Sequence, residues 1–556
     1  MENNFLVLLP PLITLSLAFI TRKVKFSLLS GILIAAFIAT DFSIKKILFK
    51  TFITFWQTIN LSNLTSLKNF LSSNNSNMLI ILFLFMLGII ITLINHTGAS
   101  CAYGRFISKK LKTSKEAEVS CLALSSTLFV DDYFSSLTVG SVMYPVTDNF
   151  KIPRVKLAFL VNAMASSLCA LSPVSSWMAA IVAPLTNAGI SDQMGTNMLI
   201  ASDTFWVYLH ILPFIFYSII LILGIWFIVL RKISFGSIKK YEKIAQETGN
   251  LFGGKTATKI KIKAVSEKNL AKNSLLDFIF PIILLSSSLI FNLLYSGGCY
   301  LFGGTNSIIK AFQAAEISYS LFISGFFTLT TSLFYYYSRR KIFFKEIGSI
   351  FFEGINLMLP AILVLILAWT FGSLIRNDLH TGQYLASKLV GNINLKFLPI
   401  IFFIISMITS VCIGSAWGTI AIMVPITIPM LLSISGLTPP IIAENLSIMF
   451  PVVGAIISGA IIADHISPLS DTMVMASAST GANLMDLSKI QLLYTIPIIV
   501  STAIAFLLSG FLIQYGLLIA SILPLLTGSF LNFAFLQFLN QLNKKNIQVN
   551  SRINTY

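Results

Sequence analysis

Long apolar runs broken by short polar knots cover most of this chain. The runs are about 17 to 25 residues long and do not alternate with period two, so they predict membrane-crossing helices and not barrel strands. Spans are expected near 4–20, 27–40, 78–95, 119–146, 156–188, 204–230, 275–296, 316–337, 353–372, 397–432, 441–478, 488–512 and 515–537. The segments 156–188, 397–432 and 441–478 are too long, or too polar in the middle, for one plain helix. Hairpins or broken helices are expected inside them. The stretch 44–58 (IKKILFKTFITFWQT) reads as an interfacial amphipathic helix.

The knots come in matching pairs. SPVSSW at 172–177 and SPLSDT at 467–472 lie in opposite halves. Each follows another knot in its own half: DDYFSSLTVGSVMYPV at 131–146 before the first, GSAWGTIAIMVPI at 414–426 before the second. Both of those pass from Gly/Ser-rich residues through an apolar stretch to a proline, Pro145 or Pro425. A duplicated pair of broken, polar segments inside the bilayer is the pattern of a secondary transporter with repeated halves.

Composition sharpens this picture. The chain is 56% hydrophobic and 11% charged, against about a quarter charged in soluble domains. Lipid is therefore its solvent, and only structures that satisfy every backbone polar group internally can span it. The net charge of +17 sits between apolar runs, where cytoplasmic loops of membrane proteins carry it. No basic stretch is interleaved with aromatics for stacking, so nucleic acid is not an expected partner. The cysteines (Cys101, Cys121, Cys169, Cys299, Cys412) are scattered without CxxC spacing, so neither disulfides nor a metal site is expected. Arg22, Lys23 and Lys25 follow the first apolar stretch instead of preceding it, which reads as a retained span and not a signal peptide.

One linker stands out. Residues 231–273 hold 11 Lys/Arg against three Glu, with Gly253 and Gly254 and no apolar run. It reads as a solvated cytoplasmic loop that divides the chain into two halves. Basic residues after the first span, after the third (Lys109, Lys110, Lys112, Lys115), in the linker and at Arg339, Arg340 and Lys341 set those loops inside. The first half then begins outside and the second inside, although Lys45, Lys46 and Lys50 fall on a loop this scheme puts outside. Inverted topology of this kind places substrate near the bilayer midplane. The phosphate-loop-like GNLFGGKT at 249–256 is rejected, because its flanks lack the buried strand and packed helix such a loop needs.

Most of the 21 acids lie in loops or at span ends, but Asp131, Asp132, Asp464 and Asp471 lie in the knots. An intramembrane carboxylate costs several kcal/mol unless paired, protonated or hydrated, so these are candidate functional groups. Neighbours on a continuous helix point about 100° apart, so Asp131 and Asp132 cannot both face one site unless the helix breaks there. One of them can instead cap a half-helix. Asp464 and Asp471 flank Pro468, which frees a backbone carbonyl, and Ser467, Ser470 and Thr472 add hydroxyls. Carboxylate, hydroxyl and carbonyl oxygens together suit a hard cation. The matching knot supplies Ser172, Ser175 and Ser176, with Asn162 upstream and no acid. His465 reads as a hydrogen-bonded helix histidine, with a proton relay as the alternative. The other histidines (His96, His210, His380) show no metal-ligand spacing. Trp177 and Trp417 read as packing beside broken helices, with cavity lining as the alternative. Gly414, Gly418, Gly454 and Gly459 fit either close helix approach or local unwinding.

VDDYFSSLTVGSVMYPVTD (130–148), SPVSSW (172–177), GSAWGTIAIMVP (414–425) and ADHISPLSDTMVMAS (463–477) resemble, in that order, the NhaC family of Na⁺/H⁺ antiporters over about 78–512. The resemblance implies inverted repeats, two re-entrant hairpins, an elevator-like transport domain and a homodimer. It implies roles for Asp131, Asp132, Asp464, Ser467, Pro468, Ser470, Asp471 and Thr472. This chain has Asn162 where the family usually has an acid, and Ala463-Asp464-His465 and Asp471-Thr472-Met473 where it often reads GDH and SDTT. Those departures bear on the H⁺:Na⁺ stoichiometry. The expectation is an all-α polytopic membrane protein with inverted repeats, re-entrant hairpins and broken helices. Its parts are a first half (1–230), a basic linker (231–273), a second half (274–512) and a further helix with a polar tail (513–556). Burial favours a protonated carboxyl group and a bound cation favours the ionised one, so Na⁺ and H⁺ competing for one site suffice for exchange. Beyond membrane lipid and small cations no cofactor is expected, and the membrane is the cell inner or cytoplasmic membrane. The alternative is a Na⁺- or H⁺-coupled carrier of an organic acid or amino acid. A channel fits less well, since filters are usually built from symmetry-related chains. A membrane enzyme lacks a supporting catalytic cluster.

Overall fold

The computed structural model describes residues 5–21, 24–41, 43–59, 76–99, 111–191, 198–255, 274–308, 311, 315–381, 384, 394–468 and 470–553. Arg22, Lys23, Cys101, Lys109, Lys110 and linker residues 256–273 lie outside the described residues. Helix dominates. The described strand is a two-residue parallel ladder, Ile190–Ser191 with Ile200–Ala201. Among the described residues eight helices are long and apolar enough to cross a membrane, and a pair bent by 44° between Leu359 and Ile362 makes a ninth.

The first half opens with α1 (Leu9–Thr21), α2 (Val24–Ala39), α3 (Ile44–Ile59) and α4 (Ser76–Thr97). On α3, Leu48, Phe49, Phe52 and Trp56 are exposed along one side, as an interfacial helix requires. Two broken units follow: α5 (Ser114–Thr127) with α6 (Asp132–Asn149), and α7 (Arg154–Leu171) with α8 (Ser176–Asn187). The half closes with α9 (Thr204–Ile211) and α10 (Phe216–Arg231), and α11 (Gly236–Thr248) lies in the linker. The segment 204–230, expected as one span, is interrupted at Leu212–Phe214, where Pro213 has no amide hydrogen to continue the helix.

The second half repeats the order. After α12 (Leu275–Ser296), α13 (Ile317–Ser338) and α14 (Phe344–Ser373) come α15 (Leu398–Ile413) with α16 (Ala416–Ser435), then α17 (Met449–Ile466) with α18 (Asp471–Thr480). Helices α19 (Leu484–Leu512) and α20 (Leu517–Ile553) complete the chain. Exposed Leu276, Ile283 and Phe291 on α12, Phe326 and Phe334 on α13, and Leu518, Ile522 and Phe530 on α20 mark faces meant for lipid. Helices α4 and α14 cross at Gly88 and Gly354. A Cβ on Gly88 would lie 2.3 Å from the Gly354 carbonyl oxygen, so the crossing needs both glycines.

Contacts at the ends fix the path of each broken unit. At one face, Lys156 binds Glu118 and Glu242, Arg154 binds Asp148 and the Thr480 carbonyl, and Lys255 binds Asp486. The starts of α5, α7 and α19 and the ends of α6 and α18 therefore share this linker face. At the other face, Ala201 N–H donates to Ile441 O at 2.7 Å and Phe397 packs edge-on against Phe511. That gathers the segments after α8 and α16 with the start of α15 and the end of α19. Thus α5–α6 enters from the linker face and returns, while α15–α16 does so from the opposite face. The pairs α7–α8 and α17–α18 cross between faces. These are two re-entrant hairpins in inverted halves. The segment 119–146, expected as one span, is the first of them.

The halves also exchange their short helices: α8 packs on α16, and α18 packs on α6. Ser479 donates to the Ser136 carbonyl at 2.8 Å, and a Cβ on Gly140 would fall 1.9 Å from Ser479 Oγ. The described part of the linker is not simply solvated. Ile238 and Ala245 of α11 are buried, and Phe235 stacks on Tyr494 at 4.1 Å. Residues 249–255 form a loop in which Asn250 Oδ1 accepts from the amides of Phe252 and Gly254. A helix precedes it, not the strand a phosphate loop needs.

Candidate functional site

Four helix breaks converge where the inverted halves meet. Each ends in the residue before a new helix: Asp131, Ser175, Ser415 and Ser470. Short polar side chains stand there because a helix start leaves amide hydrogens unpaired, and no water in lipid would take them. Asp131 Oδ1 accepts from Phe134 N–H at 2.9 Å, and Ser175 and Ser415 cap their helices in the same way. Asp131 Oδ2 accepts from the Ser176 hydroxyl at 2.8 Å, while Ser176 N–H donates to Val130 O. This double link ties the first break to the second. Asp132, one residue into α6, accepts from Trp177 Nε1–H at 3.0 Å.

The fourth break carries the other acids. Asp464, in the last turn of α17, is buried, and its Oδ1 accepts from the Ser470 hydroxyl at 2.9 Å. The Ser470 and Thr472 hydroxyls lie 2.9 Å apart. Asp471 opens α18 and is exposed, with the Tyr133 hydroxyl 3.4 Å from its Oδ2. Asn162 of α7 donates to the Asp464 backbone carbonyl at 2.9 Å. Trp177 meets Trp417 edge-on with ring centres 6.3 Å apart. Tyr133 and Trp417 each stand two residues past the cap of a re-entrant hairpin. Each reaches the crossing unit of the other half, a reciprocity that follows from the inverted arrangement.

The site is strongly acidic, with the charge of Lys25 acting on exposed Asp471. Asp131, Asp132 and Asp464 are buried and close enough for their charges to interact. Among the described residues none of the four knot acids forms an ion pair with a Lys or Arg; the ion pairs lie elsewhere. Nor do three acidic, His or Cys side chains converge on one point among the described residues. A cation held here would rest on one or two carboxylates completed by hydroxyl and carbonyl oxygens. That donor set suits a hard ion and not a soft transition metal.

Comparison with known proteins identifies the architecture. A profile described as the Na⁺/H⁺ antiporter family matches residues 168–511, more than half of the chain. The chain belongs to the Na⁺/H⁺ antiporter family. An uncharacterized Haemophilus influenzae protein is 29% identical over 509 residues, covering 91% of this chain and 90% of that one. A Bacillus subtilis protein named malate-2H(+)/Na(+)-lactate antiporter is 32% identical over 214 residues, 37% of this chain and 40% of its own. The solved structure of the Alcanivorax borkumensis YdaH transporter shares the fold with a TM-score of 0.50 at 13% identity, over 86% of this chain and 90% of that one. This member of the antiporter family is thus a multi-pass secondary transporter.

Within this antiporter-family fold the expected site residues divide. Asp132, Asp464, Ser470, Thr472 and Asp471 surround the meeting of the breaks. Asp131 and Ser176 are spent on each other and on a helix cap. Ser175 caps α8 and donates to the Cys169 carbonyl at 2.7 Å, and Ser172 Oγ accepts from Val174 N–H, so both hold the second break's shape. Ser467 is buried at the end of α17, its amide bound to Ala463 O. Asn162 grips backbone and not a carboxylate. Tyr133, and Ser166 whose hydroxyl lies 3.3 Å from His465 Nε2, escaped sequence reasoning. Tyr133 sits beside two acids and carried a usable signal; Ser166 lies among small residues of α7 and carried none. Trp177 does more than pack, because it donates to Asp132.

Proposed function

We propose that this chain exchanges Na⁺ for H⁺ across a cell inner or cytoplasmic membrane, with the Asp464 carboxyl group at the centre of the shared site. The observation that carries the reading is the buried group Asp131, Asp132 and Asp464, none of which pairs with a Lys or Arg among the described residues. Such carboxylates are tolerable only when protonated or when a cation neutralises them. Two mutually exclusive ways of meeting one need are the chemistry of an exchanger. Ser470 holds one Asp464 oxygen, which leaves the other oxygen and the Thr472 hydroxyl for a cation. The carbonyls of Ala463, Asp464 and Ile466 in the last turn of α17 already accept hydrogen bonds from Ser467, Asn162 and Ser488, and each keeps a second lone pair that can help complete its shell. Asp471, exposed at the mouth, is placed to attract the incoming ion. Asp132, held by Trp177, adds negative potential behind it. The linker face carries Lys232, Lys239, Lys240 and Lys243, which makes it the inner face by the positive-inside rule.

A second reading rests on the Bacillus subtilis relative. Helix starts at the breaks direct partial positive charge inward and could meet a carboxylate substrate, so a Na⁺- or H⁺-coupled carrier of an organic acid is the alternative. Everted vesicles holding a proton gradient reported by a pH-sensitive dye separate the two. Added Na⁺ should collapse the gradient under the first reading. Indifference to Na⁺ and Li⁺, with a response to malate or lactate, would replace it with the second.

A further inference from the structure

The turn that joins α13 to α14 gathers charge that the exchange reading does not use. The linker has no apolar run with which to cross the bilayer, so α12 starts at the linker face and α13 returns to it. Asp277, in the first turn of α12, is fully buried. It draws the end of α13 onto α12. Its Oδ1 accepts from Arg339 Nη1 at 2.8 Å and from the Tyr335 hydroxyl at 2.9 Å. Its Oδ2 accepts from Ser274 N–H at 2.7 Å and pairs with Lys341 Nζ at 3.3 Å. The amides of Arg340 and Lys341 donate back to the carbonyls of Tyr337 and Tyr336, a closure that sets Arg340 at φ 54° and fixes the turn. Arg339, Arg340, Lys341 and Lys345 therefore stand close together, against Asp277 and Glu346, and Glu346 is spent on the Phe343 amide at 2.8 Å. Positive charge is in excess. Arg339 meets its protein partners through Nη1, while Nε and Nη2 have none among the described residues. Around these cations Phe334, Tyr337, Phe343 and Phe344 are exposed, Phe344 by 80%. Exposed rings beside cations at the end of a span belong at the depth of the lipid headgroups.

We propose that this turn binds the headgroup of an anionic phospholipid in the leaflet at the linker face. The inference goes beyond the exchange reading and holds whichever solute is carried. The Nε–Nη2 edge of Arg339 matches two oxygens of a phosphodiester, the geometry in which guanidinium and phosphate pair best. Asp277 and Tyr335 hold that guanidinium in advance, so little side-chain freedom is lost on binding. Arg340 and Lys345 are exposed and add attraction. The excess of positive charge also selects among lipids. A choline or ethanolamine headgroup brings its own cation to a turn that already holds too many. Phosphatidylglycerol brings only the charge of its phosphate. The exposed rings meet the first carbons of the acyl chains, a contact that a free phosphate lacks. The lipid then acts as a staple. Helix α12 packs on α13 and α4, and its Leu276 and Ile283 are exposed. A headgroup seated on the turn holds the ends of α12, α13 and α14 together.

The test uses the full chain purified in an uncharged detergent. Phosphatidylglycerol is titrated into the micelles while the melting temperature is followed, and mass spectrometry from the same micelles counts bound lipid. The melting temperature should rise to a plateau, because the lipid binds the folded state. Phosphatidylcholine and glycerol 3-phosphate at the same concentrations should not raise it. Arg340→Gln/Lys345→Gln leaves Asp277 and its partners in place. Loss of these two cations should raise half-saturating phosphatidylglycerol at least about tenfold. Lys232→Gln/Lys240→Gln takes the same charge from exposed positions elsewhere on the linker face and should leave half-saturation within about twofold. Equal weakening in the two double variants would reduce the effect to the general charge of that face and overturn the site. Native half-saturation in Arg340→Gln/Lys345→Gln, or equal stabilisation by phosphatidylcholine, would overturn it too. Stabilisation by glycerol 3-phosphate would make the occupant a free phosphate and overturn the lipid. No plateau with phosphatidylglycerol would overturn the proposal outright, and none of these outcomes bears on the exchange reading.

Discussion

Replacing Asp464 with Asn probes the site with least disturbance. The amide has nearly the shape of the carboxylate and can still accept from the Ser470 hydroxyl, 2.9 Å away in the native protein. It loses only the charge. A monovalent cation touching a carboxylate oxygen at about 2.4 Å gains about 7 kcal/mol at an effective dielectric constant near 20. Desolvation of both partners returns part of that, so a net loss of about 3 kcal/mol is a fair expectation, or roughly a hundredfold in half-saturating Na⁺. The fold should not suffer, since removing an unpaired buried charge is neutral or stabilising. Two measurements follow. In everted vesicles Asp464→Asn should give no dye response at Na⁺ concentrations that saturate the wild-type protein. In detergent, Na⁺ should raise the melting temperature of the wild-type protein, because it binds the folded state alone, and leave that of Asp464→Asn unchanged. A variant that exchanges at the native rate with native half-saturation would refute the reasoning, because the charge would then play no part in binding.

Other changes reach other parts of the same design. Gly140→Ala would place a methyl group 1.9 Å from Ser479 Oγ; it should push α18 from α6 and cut transport at least about tenfold with helix content intact by circular dichroism. Trp177→Phe keeps an aromatic ring against Trp417 but strips Asp132 of its Nε1–H donor, and thermal unfolding should show a loss of about 1–3 kcal/mol. Lys156→Met leaves Glu118 and Glu242 facing each other, after losing a shared cation at 2.6 and 2.7 Å; a loss of about 3 kcal/mol is expected in detergent unfolding, partly restored by adding Glu118→Gln. Ser415→Ala removes the cap of α16 and should lower stability by about 1 kcal/mol in the same assay.

The breaks were legible in the sequence for a physical reason. Lipid offers backbone groups no partner, so an interrupted span must bring its own, and Ser172–Ser176 and Ser467–Thr472 announce that need. Direction of travel was not legible in the first half. Leu128–Asp131 reverses the chain without Gly or Pro, using Asp131 as a cap and Ser176 as an anchor, and both are tertiary facts. Pro213 did mark the split between α9 and α10, and its apolar surroundings hid it. Tyr217 had no local signal at all. It sits in an apolar run and gains meaning only from His465, on a helix of the other half, whose Nδ1 lies 2.8 Å from its hydroxyl. The linker misled in the opposite sense: its lysines advertise solvent, yet Ile238 and Ala245 are buried, Phe235 stacks on Tyr494 of α19, and Glu242 pairs with Lys156 of α7.

The exchange of short helices between halves has a consequence for biosynthesis. When α8 leaves the ribosome its seat on α16 has not been made, and α6 waits still longer for α18. The early part of the chain must therefore reside in the bilayer with kinked, partly hydrated segments shielded by the insertion machinery. A nascent chain stopped after Arg231 should be cleared by membrane proteases, whereas the two halves made together as separate polypeptides should find each other and regain transport.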